Sequence, residues 1–305
     1  MTPLIGQSGS LARDFGAPPF SVLNGKDQSW QSDKRRWINL GLKSDTGRDV
    51  KVYSFEGKKG IMGSKSSDTS VFDPKLCEVI YKWFSDEGDQ IIDPFAGGSV
   101  RGIVAGCTKR KYLGIDIRLE QIEANIKNLE EVSKNTHIEH NPIWKCMDSM
   151  ELGKAENIPE ADMIMSCPPY FDLEVYGDNA GDISNMGYEG FRQAYLKIIL
   201  QSCQRLKANK FAVFVMGNIR DKEGALRDLV GLTVESFQKA GLKYYNDIIF
   251  ETPIGTAALR GRKQFSARRK VVMVHQHVLV FYKGDIDQIE SLEGGTEIST
   301  QETLF

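Results

Sequence analysis

The sequence predicts an α/β protein with a doubly wound, mostly parallel seven-stranded sheet and an antiparallel hairpin at one edge. Two patterns predict this class. Short apolar runs alternate with segments whose apolar residues recur every three or four positions, as in a strand–helix–strand chain. The last two apolar runs lack an intervening helix, which is typical of antiparallel neighbours. With 305 residues, 41% of them hydrophobic, the chain is long enough to bury a full core.

The predicted elements follow one another with short turns between them. The segment from Asp73 and Pro74 opens a helix because proline is tolerated in the first turn, and Ser99 is expected to cap the helix that follows the first strand. Between the last two strands we expect a basic loop. The predicted helices cover about 73–84, 99–106, 119–129, 191–206 and 226–237, and the predicted strands cover 90–93, 112–116, 143–148, 163–167, 211–216, 242–250 and 271–282, the last as two strand-like stretches about 275–277.

Charge and cysteine content exclude several classes of protein. Lys and Arg total 39 against 41 Asp and Glu, so the net charge of −2 gives no overall basic signature. Residues 285–305 hold six acidic residues and no Lys or Arg, so the remainder is positive by about four, which permits a polyanionic partner. Five scattered cysteines without a Cys-x-x-Cys pair predict reduced thiols in a cytoplasmic protein and no structural metal. No apolar run approaches the roughly 18 residues of a membrane span.

Three regions are predicted along the chain. Residues 1–60 form an N-terminal arm and a peripheral helix, residues 61–284 form the main domain, and residues 285–305 form a disordered acidic tail. In the peripheral helix, Trp30 and Trp37 are seven residues apart and share a face, beside Lys34, Arg35 and Arg36. We favour an interpretation in which the tryptophans dock on the core. The alternative is an element that contacts phosphates.

A glycine turn follows the first strand of the main domain, in Asp93-Pro94-Phe95-Ala96-Gly97-Gly98. A strand that ends in Asp and leads through small residues into a helix suits a nucleoside ligand, because glycine lets the main chain approach it. Asp116 ends the next strand about 20 residues later, where an acidic residue typically binds ribose hydroxyls. Asp148 ends the third strand and is placed to meet an adenine amino group. Each carboxylate is alternatively a turn or helix cap.

A second motif, Ser166-Cys167-Pro168-Pro169-Tyr170, follows a buried strand. Two prolines fix an extended, rigid backbone. The main-chain carbonyls of Cys167 and Pro168 can then accept both protons of a planar amino group while Tyr170 stacks on its ring. Such bonds aim the nitrogen lone pair at an electrophilic methyl group by positioning and electrostatics. The alternative is a proline-bearing loop that packs Tyr170 against the core.

Together these two motifs resemble those of the DNA amino-methyltransferases. The resemblance implies the Rossmann-like methyltransferase fold, S-adenosylmethionine as cofactor, and methylation of the exocyclic nitrogen of adenine or cytosine. The segment 70–76 is similar to the family's additional cofactor segment, 276–284 to its closing strand, and the whole to phage- and prophage-borne members. By this resemblance the cofactor-binding residues are Phe72, Asp73, Asp93, Phe95, Ala96, Gly97, Gly98, Asp116, Ile117 and Asp148, and the catalytic residues are Ser166, Cys167, Pro168, Pro169 and Tyr170.

One position departs from the family pattern. Cys167 stands where the family usually carries Asp, Asn or Ser, and a thiol is a weak acceptor. Either Ser166 supplies the side-chain contact to the amino group or the main-chain carbonyls suffice. A covalent role for Cys167 in carbon methylation is disfavoured because that chemistry is associated with a differently built loop.

DNA is the partner that the resemblance implies, and a base inside a duplex has to be flipped out to reach such a site. Cationic surface beside the cleft is therefore expected. We take the DNA-binding residues to be Lys34, Arg35, Arg36, Arg260, Arg262, Lys263, Arg268, Arg269 and Lys270. The acidic loop 171–188 is interpreted as a lid or as a reader of base edges. The alternatives are an RNA or protein amino-methyltransferase and a catalytically silent nucleic-acid-binding protein.

Overall fold

The computed structural model describes residues 11–43, 72–171, 182–255 and 257–291. Its helices and strands are numbered here in chain order. The strands are β1 (Val22–Asn24), β2 (Gln90–Asp93), β3 (Lys111–Asp116), β4 (Ile143–Cys146), β5 (Ala161–Ser166), β6 (Leu206–Met216), β7 (Ile219–Arg220), β8 (Leu226–Arg227), β9 (Lys243–Glu251) and β10 (His275–Lys283). The helices are α1 (Gln28–Asn39), α2 (Pro74–Phe84), α3 (Val100–Cys107), α4 (Leu119–Val132), α5 (Tyr188–Arg205), α6 (Leu229–Lys239) and α7 (Ala257–Arg268).

One eight-stranded sheet organises the fold, in the order β1-β9-β10-β6-β5-β2-β3-β4. Strands β4, β3, β2, β5 and β6 are parallel to one another, whereas β10 is antiparallel to both β6 and β9. The short strands β7 and β8 form a separate hairpin. The predicted class, a doubly wound, mostly parallel α/β sheet, is confirmed.

Both faces of the sheet are covered, as expected for a doubly wound fold. Adjacent side chains of a strand point to opposite faces, and accordingly Ile91 packs in a cluster with residues of α1–α4 while Ile92 packs in a second cluster with residues of α5 and α6. The continuous apolar character of β2, β5 and β6 follows from this two-sided burial. The strands are thereby fixed in the middle layer, and the turns that follow them lie along one end of the sheet.

The sheet differs from the prediction at one edge. Strand β1 pairs in parallel with β9, matching Val22 to Ile249, and adds an eighth strand beyond the antiparallel pair. Three residues are too few to show a strand period in the sequence, so this strand was missed. The final apolar run also forms one continuous strand, β10, that lies between β6 and β9 rather than at the edge.

Two further local predictions were wrong. The predicted basic loop is helix α7, because Ala, Leu, Arg, Lys and Gln all favour helix even though no apolar stripe marks one. Ser99 precedes α3 without capping it, because its hydroxyl instead contacts the carbonyl oxygen of Lys43 and the side chain of Asn128. The short strands β7 and β8 were not predicted either, and Leu226 and Arg227, expected at the start of a helix, form β8. The other helices and strands lie where they were predicted, with ends shifted by up to about five residues.

Helix α1 docks through its tryptophans, as the favoured interpretation proposed. Trp30 packs against Phe250 with ring centroids 5.3 Å apart and ring planes tilted by 40°, and Trp37 Nε1 donates to Glu78 Oε2 at 2.9 Å. Both indoles are buried, while Arg35 and Arg36 are exposed. The proposed boundary at residue 60, residues 172–181 of the acidic loop and the tail from residue 292 onward lie outside the described residues. The tail was predicted to be disordered from residue 285, but Ile286–Gln288 form a short 3₁₀ helix. Among the helices that are described, none combines the length and apolar character needed to cross a membrane.

Candidate active site

The two sequence motifs follow the carboxyl ends of neighbouring parallel strands and therefore lie together at one end of the sheet. Asp93 ends β2 and Ser166 ends β5, and these two strands are direct neighbours. Ser166 Oγ donates a hydrogen bond of 2.6 Å to Asp93 Oδ1 across 73 residues of sequence. The Cys-Pro-Pro-Tyr loop therefore begins beside the glycine turn.

Asp93 lies beneath the turn rather than in the open cleft. Its carboxylate is fully buried, and Oδ2 accepts bonds from Arg101 Nε at 2.6 Å and Tyr112 Oη at 2.8 Å. The main-chain N–H of Phe95 donates to Oδ1 at 3.1 Å. Asp93 thus holds the start of the turn and, through Ser166, the start of the loop. Direct contact of the Asp93 and Ser166 side chains with ligands, as the sequence predicted, does not fit this burial.

The buried guanidinium of Arg101 forms hydrogen bonds with several residues of the glycine turn. Besides Asp93, its guanidinium donates to the carbonyl oxygens of Phe95 at 2.7 Å and Ala96 at 2.9 Å. Its terminal carbon lies 4.9 Å from the ring centroid of Phe72. One buried cation therefore contacts the cofactor segment, the strand end and the turn that sequence analysis had identified separately.

The electrostatics of this network keep its charges in place. Burial acts to lower the pKa of Arg101, but the attraction and hydrogen bond of Asp93, together with smaller contributions from Tyr112 and Cys167, outweigh burial and raise that pKa above its ordinary value. Burial, reinforced by the negative charge of Asp93, raises the pKa of Tyr112 well above its ordinary value. Arg101 therefore stays charged and Tyr112 stays a neutral hydrogen-bond donor throughout the physiological range.

Gly97 is the tightest point of the turn. Its φ of 50° lies in the left-handed region, where a side chain costs about 1 kcal/mol or more. Its N–H donates to Asp116 Oδ2 at 3.1 Å, and its carbonyl accepts from Asn125 Nδ2 at 2.7 Å. Asp116 Oδ1 also accepts the N–H of Arg118 at 2.9 Å. The turn after β2 and the carboxylate at the end of β3 consequently form one hydrogen-bonded unit, with Gly98 and Ile117 half-buried beside it.

Asp148 caps a short 3₁₀ helix, which was the alternative reading of this carboxylate. Its side chain accepts the N–H of Met150 at 2.8 Å at the start of Ser149–Glu151. Ser149 Oγ then donates to the carbonyl oxygen of Pro94 at 2.6 Å. Asp148 is half-buried, so a capping role and a ligand contact from the same carboxylate are compatible. The end of β4 is in this way tied to the glycine turn.

The acceptor loop is held rigidly at both ends. Pro168 is buried, and Cys167, Pro169 and Tyr170 are half-buried. Phe171, directly after Tyr170, has a φ of 51°, a left-handed conformation that costs a non-glycine residue about 1 kcal/mol or more. Burial of the Phe171 ring compensates for this strain. The loop is thus fixed by prolines before Tyr170 and by an anchored ring after it.

A row of aromatic rings forms a second connection between the turn and the loop. Phe95 stacks on Tyr195 with centroids 5.8 Å apart, Tyr195 stacks on Phe191 at 5.6 Å, and Phe171 meets Phe191 edge to face at 5.2 Å. The guanidinium of Arg227 lies 4.6 Å from the centroid of Phe171. Helix α5 therefore supplies the packing surface against which both halves of the site are built.

The predicted cations fall into two groups. Lys34 is directed at Asp73, with Nζ 3.0 Å from Oδ2, and Asp73 in turn caps helix α2. This pair stabilises the start of the cofactor segment, so Lys34 is not presented to a partner. The remaining predicted cations are exposed except for Lys270, which is half-buried against Gly224.

Helix α7 carries four of these cations, Arg260, Arg262, Lys263 and Arg268, to the same end of the sheet as the site. Strand β9 runs parallel to β6 because both are antiparallel to β10, so the helix that follows β9 starts at the edge where β2 and β5 end. Of its twelve residues only Ala257 is buried, and Leu259 is 80% exposed. The helix therefore lies exposed on the surface at this end of the sheet.

Sequence reasoning missed four residues that shape the site: Arg101, Tyr112, Asn125 and Gln276. A signal existed for three of them, because polar side chains at core-facing positions of apolar helices and strands need buried partners. Gln276 Nε2 donates to Tyr170 Oη at 2.9 Å, a contact that spans 106 residues and leaves no local sequence pattern. Within the described residues, no group of three or more His, Cys, Asp or Glu side chains forms a metal site.

Comparison with known proteins supports the donor half of the site. Residues 26–127 match the sequence model of a DNA methylase family, and this range contains Phe72, Asp93, Gly97 and Asp116. The resemblance to the DNA amino-methyltransferases is thereby confirmed over this third of the chain. The Pro-Pro-Tyr loop and helix α7 lie outside the matched range.

Two curated relatives and one solved structure were compared with the chain. DNA adenine methyltransferase YhdJ of Escherichia coli (strain K12) is 33% identical over 111 residues, 36% of this chain and 37% of that protein. A probable tRNA (guanine(10)-N2)-dimethyltransferase of Methanothermococcus thermolithotrophicus is 28% identical over 104 residues, 32% of this chain and 64% of that protein. The chain thus matches less than two thirds of the length of either relative. The structure of TrmN from Thermus thermophilus aligns with a TM-score of 0.44 and 14% identity, over 69% of this chain and 48% of that one.

Proposed function

We propose that this chain, whose residues 26–127 carry the DNA methylase pattern, transfers a methyl group from S-adenosylmethionine to an exocyclic amino group of adenine or cytosine in DNA. The observation that carries the proposal is the 2.6 Å hydrogen bond between Ser166 and Asp93. It joins a loop suited to a planar amino group to a turn suited to a nucleoside, and methyl transfer requires those two ligands side by side.

The chemistry of the donor half fits S-adenosylmethionine. A main-chain turn without side chains at Gly97 and Gly98 admits a ligand closely, and the carboxylate at the end of β3 suits two ribose hydroxyls. Half-buried Phe95 and Ile117 offer apolar surface for a purine ring. When bound, this cofactor supplies an electrophilic methyl carbon. The residues that hold it are Phe72, Phe95, Gly97, Gly98, Asp116, Ile117 and Asp148, and the buried residues Asp73, Asp93 and Ala96 position them from beneath.

The acceptor half acts through its main chain. The carbonyl oxygens of Cys167 and Pro168 accept the two amino protons of the target base, and Tyr170 stacks on its ring. The Ser166 hydroxyl is engaged by Asp93, so it orients the loop instead of contacting the base. The amino nitrogen releases one proton for each methyl gained, and the half-exposed loop gives that proton a path to solvent.

DNA is held beside this loop by exposed cations. Helix α7 and the residue after it present Arg260, Arg262, Lys263, Arg268 and Arg269 at the edge of the sheet where the base has to enter. Phosphate contacts of this kind position a duplex without reading its sequence. Arg35 and Arg36 of α1 provide further exposed positive charge. The displaced base then reaches Tyr170 after flipping out of the stack.

Two observations bear on the substrate. The relative with 33% identity is a DNA adenine methyltransferase, which favours adenine over cytosine. The second relative is a probable methyltransferase of a guanine amino group in tRNA, so an amino group in RNA is the second candidate. Both substrates present a planar exocyclic amine, and the loop chemistry is the same for either.

The test is a transfer assay with two nucleic acids. The protein is incubated with tritiated S-adenosylmethionine and unmodified duplex DNA or tRNA, and the products are digested to nucleosides and separated. We expect label in N6-methyladenine or N4-methylcytosine from DNA. Label confined to the tRNA arm establishes the second candidate, and no label in either arm, with cofactor binding shown by calorimetry, refutes methyl transfer.

Two variants test the division of roles in this assay. Tyr170→Ala should lose roughly a hundredfold or more in rate while its cofactor affinity is kept, because stacking positions only the acceptor. Cys167→Ala should keep most of the activity because the main-chain carbonyls remain. Tyr245→Ala, at the opposite edge of the sheet and 38% exposed, is the matched control. Complete loss in Cys167→Ala would contradict the main-chain mechanism.

A further inference from the structure

Gln276 lies at the start of β10, far from Tyr170 in sequence and next to it in space. Its side-chain amide donates a 2.9 Å hydrogen bond to Tyr170 Oη. Its main chain is anchored in the sheet, where Gln276 is paired with Phe250 of β9. Both side chains are half-buried, so the bond is partly protected from competition by water.

The geometry gives this contact a specific effect on the ring. The hydroxyl of a tyrosine lies on the axis from Cβ through the ring, so a bond to it leaves rotation about that axis free but fixes where the axis points. The backbone of Tyr170 is already restrained by Pro168 and Pro169 on one side and by the left-handed Phe171 on the other. Gln276 restrains the remaining freedom, the swing of the side chain about its first torsion angle.

We infer that Gln276 is a positioning residue that holds the ring of Tyr170 in the place where the flipped base stacks. This inference rests on the proposed function and extends it to a strand outside both sequence motifs. It also assigns a task to β10, whose first residues follow the basic helix α7 after a short connection. The helix that contacts DNA and the strand that positions the stacking ring are then adjacent in the chain.

A double-mutant cycle tests the inference. Gln276→Ala and Tyr170→Phe each remove one partner of the bond, and each should lower kcat for DNA methylation roughly tenfold with the KM for S-adenosylmethionine unchanged. The double variant should be no slower than either single variant because the same interaction is lost. Gln276→Glu should restore most of the rate, since a carboxylate accepts a bond from the tyrosine hydroxyl. Gln238→Ala, an exposed glutamine on α6, is the control.

The outcomes separate this inference from the proposed function. The role of Gln276 is overturned if the parent protein methylates DNA and the double variant loses kcat by the product of the two single losses. The proposed function is then left intact. The same follows if Gln276→Ala raises the KM for the cofactor, or if Gln276→Glu is as slow as Gln276→Ala. No methylation by the parent protein overturns both. Urea unfolding of each variant shows whether a lower rate reflects a less stable fold.

Discussion

The residue at which prediction and structure differ most is Asp93. The sequence indicated a carboxylate at the end of a buried strand, which the structure confirms. It did not indicate that the carboxylate points into the core. A motif identifies the aspartate and its turn, but not the buried cation that pairs with the aspartate. Arg101 lies on the helix after the turn, in a segment that reads as apolar. The same limit applies to Ser166. Its hydroxyl was expected to be able to contact the target base, but in the structure it donates its hydrogen bond to Asp93.

Neutralising Asp93 is expected to cost more stability than any other single change in the site. Asp93→Asn leaves Arg101 buried without its charge partner, so the free energy of unfolding should fall by about 3–5 kcal/mol. Ser166→Ala removes only one bond to the same carboxylate and should cost about 2 kcal/mol. Urea unfolding measures both. Equal losses in the two variants would show that the ion pair contributes little.

At the scale of elements, helix α7 shows the limit of pattern analysis. Its exposed cations were identified from the sequence as a DNA-binding segment, but its helical state was not, because a helix that buries only Ala257 has no apolar period to detect. Strand β1 was missed because it has only three residues, too few to show an alternation of apolar and polar side chains. Elements that pack on both faces of the sheet were predicted well because burial imposes a strong period.

Helix α7 is expected to govern the salt dependence of DNA binding. Changing Arg260, Arg262 and Lys263 to Gln removes up to three phosphate contacts, so the slope of log affinity against log salt should become shallower by about 2 to 3. Fluorescence anisotropy with labelled duplex DNA over a salt series measures this slope. Lys111→Gln with Lys134→Gln, exposed cations at the opposite edge of the sheet, should leave it unchanged. An unaltered slope in the α7 variant would place the DNA elsewhere.

For the whole molecule, hydrogen bonds at the end of the sheet opposite the candidate site tie neighbouring strands together. Asp162 at the start of β5 accepts bonds from Lys207 Nζ at 2.7 Å and from the N–H of Gln90 at 2.9 Å. Burial acts to raise the pKa of Asp162, but the bonds from Lys207 and Gln90 outweigh it and lower that pKa below its ordinary value. Three neighbouring strands, β2, β5 and β6, are thereby tied at their starts.

This shift predicts a pH dependence of stability with a definite sign. Because the folded pKa of Asp162 is below the unfolded value of about 4, its contribution is fully present above pH 4 and is lost as the pH falls through the lower folded value. Asp162→Asn should therefore lower the free energy of unfolding at pH 7 by about 1 kcal/mol and flatten its decline in acid. Denaturant titrations between pH 7 and pH 3 measure this. An acid decline as steep as that of the parent protein would exclude Asp162 as its source.

The pairing of β1 with β9 has a consequence for how the protein is made. Val22 is matched to Ile249, and Trp30 packs against Phe250, so β1 and α1 contact a strand that leaves the ribosome more than 200 residues later. At a synthesis rate of about 5–20 residues per second, that delay is on the order of 10–50 seconds. Over this interval Trp30 has no β9 to pack against. The nascent chain therefore carries one exposed indole on an otherwise polar helix until β9 has been made.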